Sequence, residues 1–189
     1  MAVRMRRAVS EADKDLRREE ILAAAKRAFA EHGFHGTAIA DIAKAANLSY
    51  GSVYWYFDSK EALFAAVRER EEKALWEHVA RALDGVDADD PEATLSRAVK
   101  ATFERFARDP ASVRLLSLER FTADIEGLVA DAQRRGVVID APARIVAFSV
   151  TSLIGAVAEK LAGDGDGDGD VDTTADFLVT LLLNGLRPR

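Results

Sequence analysis

Residues 37–60, TAIADIAKAANLSYGSVYWYFDSK, decide the fold because their pattern predicts two short helices, a tight turn between them and the start of a third helix. Thr37 is expected to cap the first helix, whose small and apolar residues recur at helical spacing at Ile39, Ile42, Ala43 and Ala46. Asn47 follows, and it tolerates the left-handed backbone that a sharp turn requires. The pattern therefore predicts a helix-turn-helix.

The second short helix is expected to turn most of its aromatic side chains outward. Ser49 is expected to cap this helix, and Val53 and Phe57 are expected to face inward. Leu48 is expected to fill the apolar side of the turn. The residues left on the outside are Tyr50, Ser52, Tyr54, Trp55 and Tyr56. A small core helix with aromatic filler is the alternative, but four aromatic residues in seven are too many for it. A helix of this size fits the DNA major groove, so the pattern indicates DNA binding.

The order and spacing of these residues resemble the DNA-binding domain of the TetR (tetracycline repressor) family of bacterial transcription regulators. The resemblance covers roughly residues 15–65 and is carried by Ile42-Ala43, Ala45-Ala46, Leu48-Ser49, Gly51, Val53-Tyr54, Tyr56-Phe57, Lys60 and Leu63. The family usually has Gly where this chain has Asn47, a departure that the turn can absorb. The rest of the chain matches only in length and helical pattern.

The resemblance implies an all-α protein with a three-helix helix-turn-helix DNA-binding domain over residues 15–62. A flexible arm over residues 1–14 would precede it, and a helical effector-binding and dimerisation domain over residues 63–189 would follow. The implied function is a transcriptional regulator, most simply a repressor, that binds palindromic double-stranded operator DNA as a homodimer and is released by a small-molecule effector. The implied DNA-contacting positions are Thr37, Ser49, Tyr50, Gly51, Ser52, Tyr54, Trp55, Tyr56 and Lys60.

Composition agrees with a regulator and disfavours other classes of protein. The chain has 189 residues, 49% of them hydrophobic and 31% charged, a balance typical of globular domains. It has no cysteine, which excludes disulfides and thiolate metal sites and suits the cytoplasm. The longest uncharged run, residues 145–158, is too short to cross a bilayer, and no signal peptide or membrane segment is predicted. No catalytic or cofactor motif is present, so we expect neither an enzyme nor a cofactor.

The net charge of −6 divides unevenly along the chain. Residues 1–60 carry ten Lys/Arg and eight Asp/Glu, a net charge of +2, and the remainder carries sixteen and twenty-four, a net charge of −8. The acidic excess therefore lies outside the predicted DNA-binding domain. Arg4, Arg6 and Arg7 could reach a DNA minor groove as a flexible arm or simply belong to a solvated terminus.

Two further helices are predicted on either side of the helix-turn-helix. The first completes the DNA-binding domain, and the second continues from it into the next domain. One is predicted from Asp15 to Glu31, with an apolar stripe on its inner side and Gly33 as its stop. The other should start at a capping-box-like pair, Asp58 and Glu61, and run to about Leu83. Because this long helix contributes to both domains, it can transmit a rearrangement from one to the other.

The middle of the chain predicts two more helices and a ligand pocket. Asp90-Pro91 opens one helix, and Asp109-Pro110 opens another that should reach Arg135, with a break near Gly127 and a stop at Gly136. A largely apolar effector pocket is expected at Phe103, Phe106, Leu118, Phe121 and Phe148. The alternative for these side chains is an ordinary core.

The last two helices are predicted over residues 140–161 and 173–186. The first is uncharged on every side over residues 145–158, so it must be buried on every side. One of its faces can pack within its own subunit, and the other most simply meets a second copy of the chain. The expected dimer interface consists of Ser149, Ser152, Leu153, Ala156, Phe177, Leu178, Leu181 and Leu182.

Between these helices lies the run GDGDGDGD, residues 163–170. Asp164, Asp166, Asp168 and Gly169 match the start of a calcium-binding EF-hand loop, but Ala175 stands where its twelfth-position glutamate is required. A flexible linker explains the run better, and no metal site is expected. Two other functions stay open: a helix-turn-helix protein controlled by a protein partner, and a helical ligand carrier or enzyme that does not bind an operator.

Overall fold

The computed structural model describes residues 11–87, 90–116, 118–163 and 171–186, without the side chains of residues 91, 92, 118 and 161–163. These residues form helices and no strand, which confirms the predicted all-α class. The helices are α1 (Glu11–Gly36), α2 (Ile39–Ala45), α3 (Tyr50–Tyr56), α4 (Lys60–Leu83), α5 (Pro91–Arg108), α6 (Pro110–Leu115), α7 (Leu118–Arg134), α8 (Ala143–Gly163) and α9 (Val171–Leu186). None of the helices described is long and apolar enough to cross a membrane.

The chain divides into two compact units, Met1–Val67 and Arg68–Arg189. The division falls within α4, five residues after the boundary that the sequence predicts. Helix α4 therefore contributes its first two turns to the first unit and the rest of its length to the second.

The first unit packs α1, α2, α3 and the start of α4 around one apolar core. Its buried side chains are Ile21, Leu22, Ala24, Ala25, Phe29, Ile39, Ile42, Ala43, Ala46, Val53, Phe57, Leu63 and Val67. Aromatic rings close one side of this core, since the Phe64 ring lies 5.0 Å from Phe29 and 5.1 Å from Phe34, centroid to centroid.

Helix α1 is longer than predicted at both ends. It begins at Glu11, so residues 11–14 are helical rather than part of a loose arm, and its acidic first turn, Glu11 and Asp13, complements the helix dipole. The predicted stop at Gly33 appears as a kink, because Gly33 has φ 69° and ψ 175°, a combination that only glycine adopts readily. One helical turn follows before the chain enters α2.

The cap of α4 differs from the prediction. The Ser59 hydroxyl accepts a hydrogen bond from the Ala62 N–H at 3.0 Å, and the helix begins at Lys60. Asp58 stands one residue too early for this role, so the predicted capping pair of Asp58 and Glu61 is wrong. The predicted end of the helix at Leu83 is confirmed.

The second unit places α8 against both α5 and α7, and α9 against α5. Asp90 caps α5 as predicted, accepting from the Ala93 N–H at 2.9 Å. The buried side chains of this core are Leu75, Val79, Val99, Ala101, Phe103, Phe106, Phe121, Val138, Val146, Val150, Ile154, Ala158, Ala175, Leu178, Val179 and Leu182.

The helix predicted from Pro110 to Arg135 is interrupted earlier than expected. Leu116 has an extended backbone with ψ 142°, which ends α6, and α7 then continues through Gly127 without a break. A glycine inside a helix costs about 1 kcal/mol, and the neighbouring Ile125 and Val129 offset it by packing against the core. Gly136 follows α7 with φ 71°, as expected for a helix stop.

Candidate functional site

The predicted helix-turn-helix is present and its turn is held by backbone hydrogen bonds. The Ala46 N–H donates to the Ile42 carbonyl and the Leu48 N–H to the Ala43 carbonyl, each at 2.9 Å. Asn47 between them has φ 55°, the left-handed conformation predicted for it. The turn therefore fixes the direction in which α3 leaves α2.

Ser49 caps α3 as predicted. Its hydroxyl accepts from the Ser52 N–H at 3.2 Å and lies 2.7 Å from the Ser52 hydroxyl. Val53 and Phe57 are buried on the inner side of the helix, as predicted, and Leu48 is half-buried. The cap and the two buried side chains together hold the opposite side of α3 in one orientation.

The outer side of α3 carries the aromatic side chains that the sequence places there. Trp55 is 65% exposed, Tyr50 is 55% exposed, and Tyr54 is also exposed. We call Tyr50, Gly51, Ser52, Tyr54 and Trp55 the recognition face. Tyr56 is half-buried, and its ring packs edge-on against Trp55 at 4.8 Å.

The recognition face is uncharged at neutral pH. The Tyr50 and Tyr54 hydroxyls share a hydrogen bond at 3.3 Å, and their rings lie 5.1 Å apart. This hydrogen bond is the main cause that raises the pKa of Tyr54 above its ordinary value of 10.0. Gly51 has open space where a Cβ would stand, so the fold itself does not require glycine at this position.

The structure corrects the prediction for Thr37. Its side chain is only 3% exposed, and its hydroxyl donates to the Gly33 carbonyl at 2.7 Å and the Ala28 carbonyl at 3.0 Å. Helix α2 begins at Ile39 after Ala38, without a side-chain cap. Thr37 thus satisfies carbonyl groups at the kinked end of α1, and its hydroxyl is not available to DNA.

Lys60 lies at the first position of α4, as predicted, with its ammonium group over the Phe34 ring at 4.5 Å from the centroid. This cation–π contact explains why a cation is acceptable at a helix N-terminus, where the helix dipole opposes it. Its implied contact with DNA stays a prediction.

Two residues of α1 border the recognition face, and the sequence analysis missed both. The Lys14 ammonium lies 5.8 Å from the Trp55 ring centroid and is 2.6 Å from a Glu11 carboxylate oxygen. Leu16 is exposed and lines an open depression together with Leu48 and Trp55. The signal was available, because Glu11 and Lys14 are spaced for a helical ion pair, which places the start of α1 before Asp15.

The predicted effector pocket is only partly brought together. Phe103, Phe106 and Phe121 are buried, and the Phe121 ring lies 6.3 Å from Phe106 and 5.7 Å from Trp76. Phe148 was wrongly included, because its side chain is 50% exposed. The side chain of Leu118 lies outside the described part of the chain. The three buried rings are members of the core of the second unit, which is the alternative that the sequence left open.

A buried polar cluster lies in the same unit and was not predicted. The Glu71 carboxylate, in α4, accepts from the Ser112 hydroxyl at 2.7 Å and from the Arg105 guanidinium at 3.2 Å. Val67, Glu71, Leu75 and Val79 follow one another at intervals of four residues and are all buried on one side of α4. This spacing could have predicted that Glu71 is buried. The cluster ties α4 to α5 and α6 through a largely buried ion pair, and removing one partner would leave the other charge without compensation.

The predicted dimer residues separate into an exposed set and a buried set. Ser149, Ala156, Phe177 and Leu181 are exposed, and Ser152 and Leu153 are half-buried. Leu178 and Leu182 were wrongly included, because both are buried in the core of their own subunit. Ile145 and Phe148 on α8 are exposed as well. We call Ile145, Phe148, Ser149, Ala156, Phe177 and Leu181 the α8/α9 face.

Nothing in the described residues brings three His, Asp or Glu side chains together as a metal site would require. The Asp/Gly run over residues 164–170, which holds the partial EF-hand match, lies outside the described residues. So do Arg4, Arg6 and Arg7.

Comparison with known proteins identifies the family. Residues 21–67 match the model of bacterial regulatory proteins of the tetR family. The HTH-type transcriptional regulator TtgR of Pseudomonas putida is 32% identical over 98 residues, which cover 52% of this chain and 46% of that protein. The chain thus spans about half the length of the curated relatives that it matches.

Solved structures extend the similarity over nearly the whole chain. A structure from Streptomyces coelicolor is 32% identical, covers 89% of this chain and 97% of that chain, and has a TM-score of 0.64. A TetR family transcription regulator from Marinobacter aquaeolei is 21% identical, covers 95% and 100% respectively, and shares the fold with a TM-score of 0.81. With its helix-turn-helix, its all-α second unit and these matches, the chain belongs to the TetR family of bacterial regulatory proteins.

Proposed function

We propose that the chain is a cytoplasmic transcriptional regulator and not an enzyme. It is most simply a repressor that binds palindromic operator DNA as a homodimer and is released by a small-molecule effector. The observation that carries the proposal is the recognition face, a cluster of exposed aromatic and hydroxyl side chains on a short helix whose direction is fixed by a capped tight turn. Water-exposed aromatic rings cost free energy unless a partner covers them, and the major groove accepts a helix of this width.

Operator binding assigns different tasks to the residues around α3. Tyr50, Ser52 and Trp55 are exposed or half-buried at positions that can approach base edges. The absence of a side chain at Gly51 lets a DNA strand come close to the helix. Tyr54 and Tyr56 stand at the positions that contact phosphates in the resembling domains. A DNA phosphate near Lys60 would offset the unfavourable position of this cation at the N-terminus of α4. Lys14 is a further cation beside the face.

Homodimerisation through the α8/α9 face supports a palindromic operator, because a two-fold dimer presents two copies of α3 to two half-sites. Phe177 and Leu181 lie one turn apart on α9, and Ile145 and Phe148 lie one turn apart on α8, all of them exposed. Ser149 and Ala156 on α8 have small side chains, so a partner helix can approach the α8 backbone closely there. Exposed apolar side chains on both helices favour a partner that covers them, and a second copy of the chain is the simplest one.

The effector would enter the second unit, where the rings of Phe103, Phe106 and Phe121 offer an apolar environment. Trp76, which contacts Phe121, is part of α4, the helix that contributes to both units. A ligand that displaces these rings would therefore act on α4 directly. Because coupling between two sites is reciprocal, operator DNA should weaken effector binding by the same factor, which is typically equivalent to about 1–3 kcal/mol.

A selection of bound sequences from random duplex DNA tests the proposal. We expect one palindromic sequence to be enriched, with an affinity that falls steeply as salt is raised. Trp55→Ala should lower the affinity for the enriched sequence, whereas Leu128→Ala, at a similarly exposed position on α7, should not. If no sequence is enriched, and DNA binding is weak for every duplex, the chain is a ligand carrier or another kind of protein.

A second series distinguishes a small-molecule effector from a protein partner. Candidate ligands are first found by the rise in melting temperature that they cause, and each is then titrated against free protein and operator complex. A ligand that binds the free protein more tightly supports release by effector. Retention of operator affinity with every compound tried would favour control by a protein partner.

A further inference from the structure

The recognition face lacks the side chains that read guanine or adenine by paired hydrogen bonds. Helix α3, YGSVYWY, contains no Arg, Lys, Asn, Gln, Asp or Glu. Bidentate contacts to guanine need Arg or Lys, those to adenine need Asn or Gln, and a contact to the cytosine amino group needs a carboxylate. Helix α3 therefore cannot make the hydrogen-bond pairs that most major-groove helices use.

The hydroxyl groups on this face are paired with one another, so each pair has one O–H group left to donate. The Ser52 hydroxyl lies 2.7 Å from that of Ser49, and the Tyr50 and Tyr54 hydroxyls lie 3.3 Å apart. The most exposed large side chains of α3 are two aromatic ones, Trp55 at 65% and Tyr50 at 55%. Beside Trp55, Leu16 and Leu48 continue this apolar surface into an open depression.

In the major groove only one base of ordinary DNA presents an apolar group, the C5-methyl of thymine. We infer that Trp55 and Tyr50 recognise thymine methyl groups, so that each operator half-site is specified at its centre by the position of thymines rather than by guanine hydrogen bonds. This inference rests on the proposed function, since it names what the recognition face reads once it lies in the groove.

The test replaces thymine by deoxyuridine, which removes the methyl group and keeps every hydrogen-bonding group. The enriched duplex from the selection is synthesised with single deoxyuridines at each thymine of one half-site, and affinity is measured at fixed salt. Burial of one methyl predicts about a fourfold loss at each thymine that a ring contacts, and about sixteenfold when the symmetric position is replaced as well. Thymines outside the half-sites provide the control and should show no loss.

Variants assign the methyl contacts to individual rings. Trp55→Ala should bind the thymine and deoxyuridine duplexes equally at one position, because the ring that senses the methyl is gone. Tyr50→Ala should do the same at another position, whereas Tyr50→Phe, which keeps the ring and loses only the hydroxyl, should remain sensitive to deoxyuridine. Both side chains are exposed, and circular dichroism and melting temperature verify that each variant is folded.

Two results would overturn the inference while leaving the proposed function intact. One is an enriched palindrome whose affinity changes less than about 1.5-fold with deoxyuridine at every position, against the fourfold expected for a buried methyl. The other is a Tyr50→Phe variant that loses deoxyuridine sensitivity as fully as Tyr50→Ala, which would assign recognition to the hydroxyl. Failure to enrich any sequence would instead contradict the proposed function itself.

Discussion

The chain exposes two apolar surfaces that differ in composition. The recognition face on α3 consists of tyrosine, tryptophan, serine and glycine, with the Lys14 ammonium at its border. The α8/α9 face consists of phenylalanine, leucine, isoleucine, serine and alanine, and no charged residue interrupts α8 between residues 145 and 158. The first surface belongs to the smaller unit, Met1–Val67, and the second to the larger unit, Arg68–Arg189.

This difference indicates two kinds of partner. Tyrosine and tryptophan combine an apolar ring with a polar atom, so they remain compatible with a hydrated, charged partner such as DNA. Phenylalanine and leucine have no polar atom and gain most from a dry contact, such as that between two identical subunits. Exposure alone, about half of each side chain on both surfaces, does not distinguish them; the chemistry of the exposed atoms does.

The first prediction distinguishes a core residue of α9 from its neighbour on the α8/α9 face. Leu178 is 1% exposed and its neighbour Phe177 is 62% exposed, so Leu178→Ala should lower the free energy of unfolding by about 2–5 kcal/mol. Phe177→Ala should leave the subunit core intact. Denaturant unfolding at two protein concentrations measures this, because a core loss persists at both and an interface loss depends on concentration. A Leu178→Ala protein as stable as the unaltered one would contradict the assignment.

The comparison also shows what the sequence could and could not predict. The recognition face follows from local signals, since the cap at Ser49, the left-handed turn at Asn47 and the inward Val53 all act within one or two helical turns. Each signal has one physical outcome, so the orientation of α3 was predictable.

The α8/α9 face could not be assigned residue by residue, for the converse reason. A helix that is apolar on every side has no periodicity to say which side meets its own subunit. Phe148 was therefore predicted inside and Leu178 at an outer surface, whereas Phe148 is 50% exposed and Leu178 is 1% exposed. Thr37 was assigned to the cap of α2 because the sequence does not show the kink in α1 that brings the Gly33 carbonyl, four residues earlier, within reach of its hydroxyl. Glu71 was missed because its partners, Ser112 and Arg105, are distant in sequence.

The second prediction tests whether the α8/α9 face meets a second copy. Phe177→Glu would bury a carboxylate in an apolar contact and should weaken self-association by at least about a hundredfold. Sedimentation velocity should then show monomers at micromolar concentration, where we expect the unaltered protein to be dimeric. Leu128→Glu is the matched control, because Leu128 is 58% exposed but lies on α7. An unaltered protein that sediments as a monomer would refute the proposed dimer.

The third prediction separates the sequence-reading part of the recognition face from its border. Tyr50→Ala should cost roughly 1–3 kcal/mol per lost base contact on operator and little on scrambled DNA, with an unchanged salt dependence. Lys60→Ala should weaken both duplexes and flatten the salt dependence by about one unit of slope per half-site.

The contact of Lys60 with the Phe34 ring requires a control for the second variant. Lys60→Met keeps an unbranched side chain over the ring and removes only the charge, so it should reproduce the change in salt dependence. Affinity is measured against salt for all three variants. A salt slope unchanged by both Lys60 substitutions, or a uniform loss with Tyr50→Ala, would reverse the assignment.

The fourth prediction concerns Gly51, where the demands of the fold and of the partner differ. A Cβ at this position meets open space, so Gly51→Ala should raise the free energy of unfolding by about 0.5–1 kcal/mol through its better helix propensity. If DNA approaches α3 closely at Gly51, the same change should lower operator affinity. A melting curve and an operator titration on one preparation check both. A variant that is stabilised and binds fully would show that no strand approaches there.

The fifth prediction, with the smallest expected effect, concerns the pH dependence of stability. It arises from His78, a titratable residue of the second unit, whereas the recognition face has no histidine. Partial burial in α4 lowers the pKa of His78 below its ordinary value of 6.5, and the cationic Arg105, Arg81 and Arg108 lower it further, against Glu104, which raises it. The unfolded chain therefore binds this proton more readily than the folded one. The contribution of neutral His78 to the free energy of unfolding is therefore fully present above about pH 6.5. It is lost as the pH falls through the lower folded-state pKa.

His78→Gln keeps a polar side chain of similar size and removes the titration, so its stability should decline less between pH 7 and pH 5 than that of the unaltered protein. Denaturant unfolding across that interval, at one protein concentration, measures the two slopes. Equal slopes for the unaltered protein and His78→Gln would mean that the packing of α4 does not exclude the proton, and that acid sensitivity arises from other groups of the second unit.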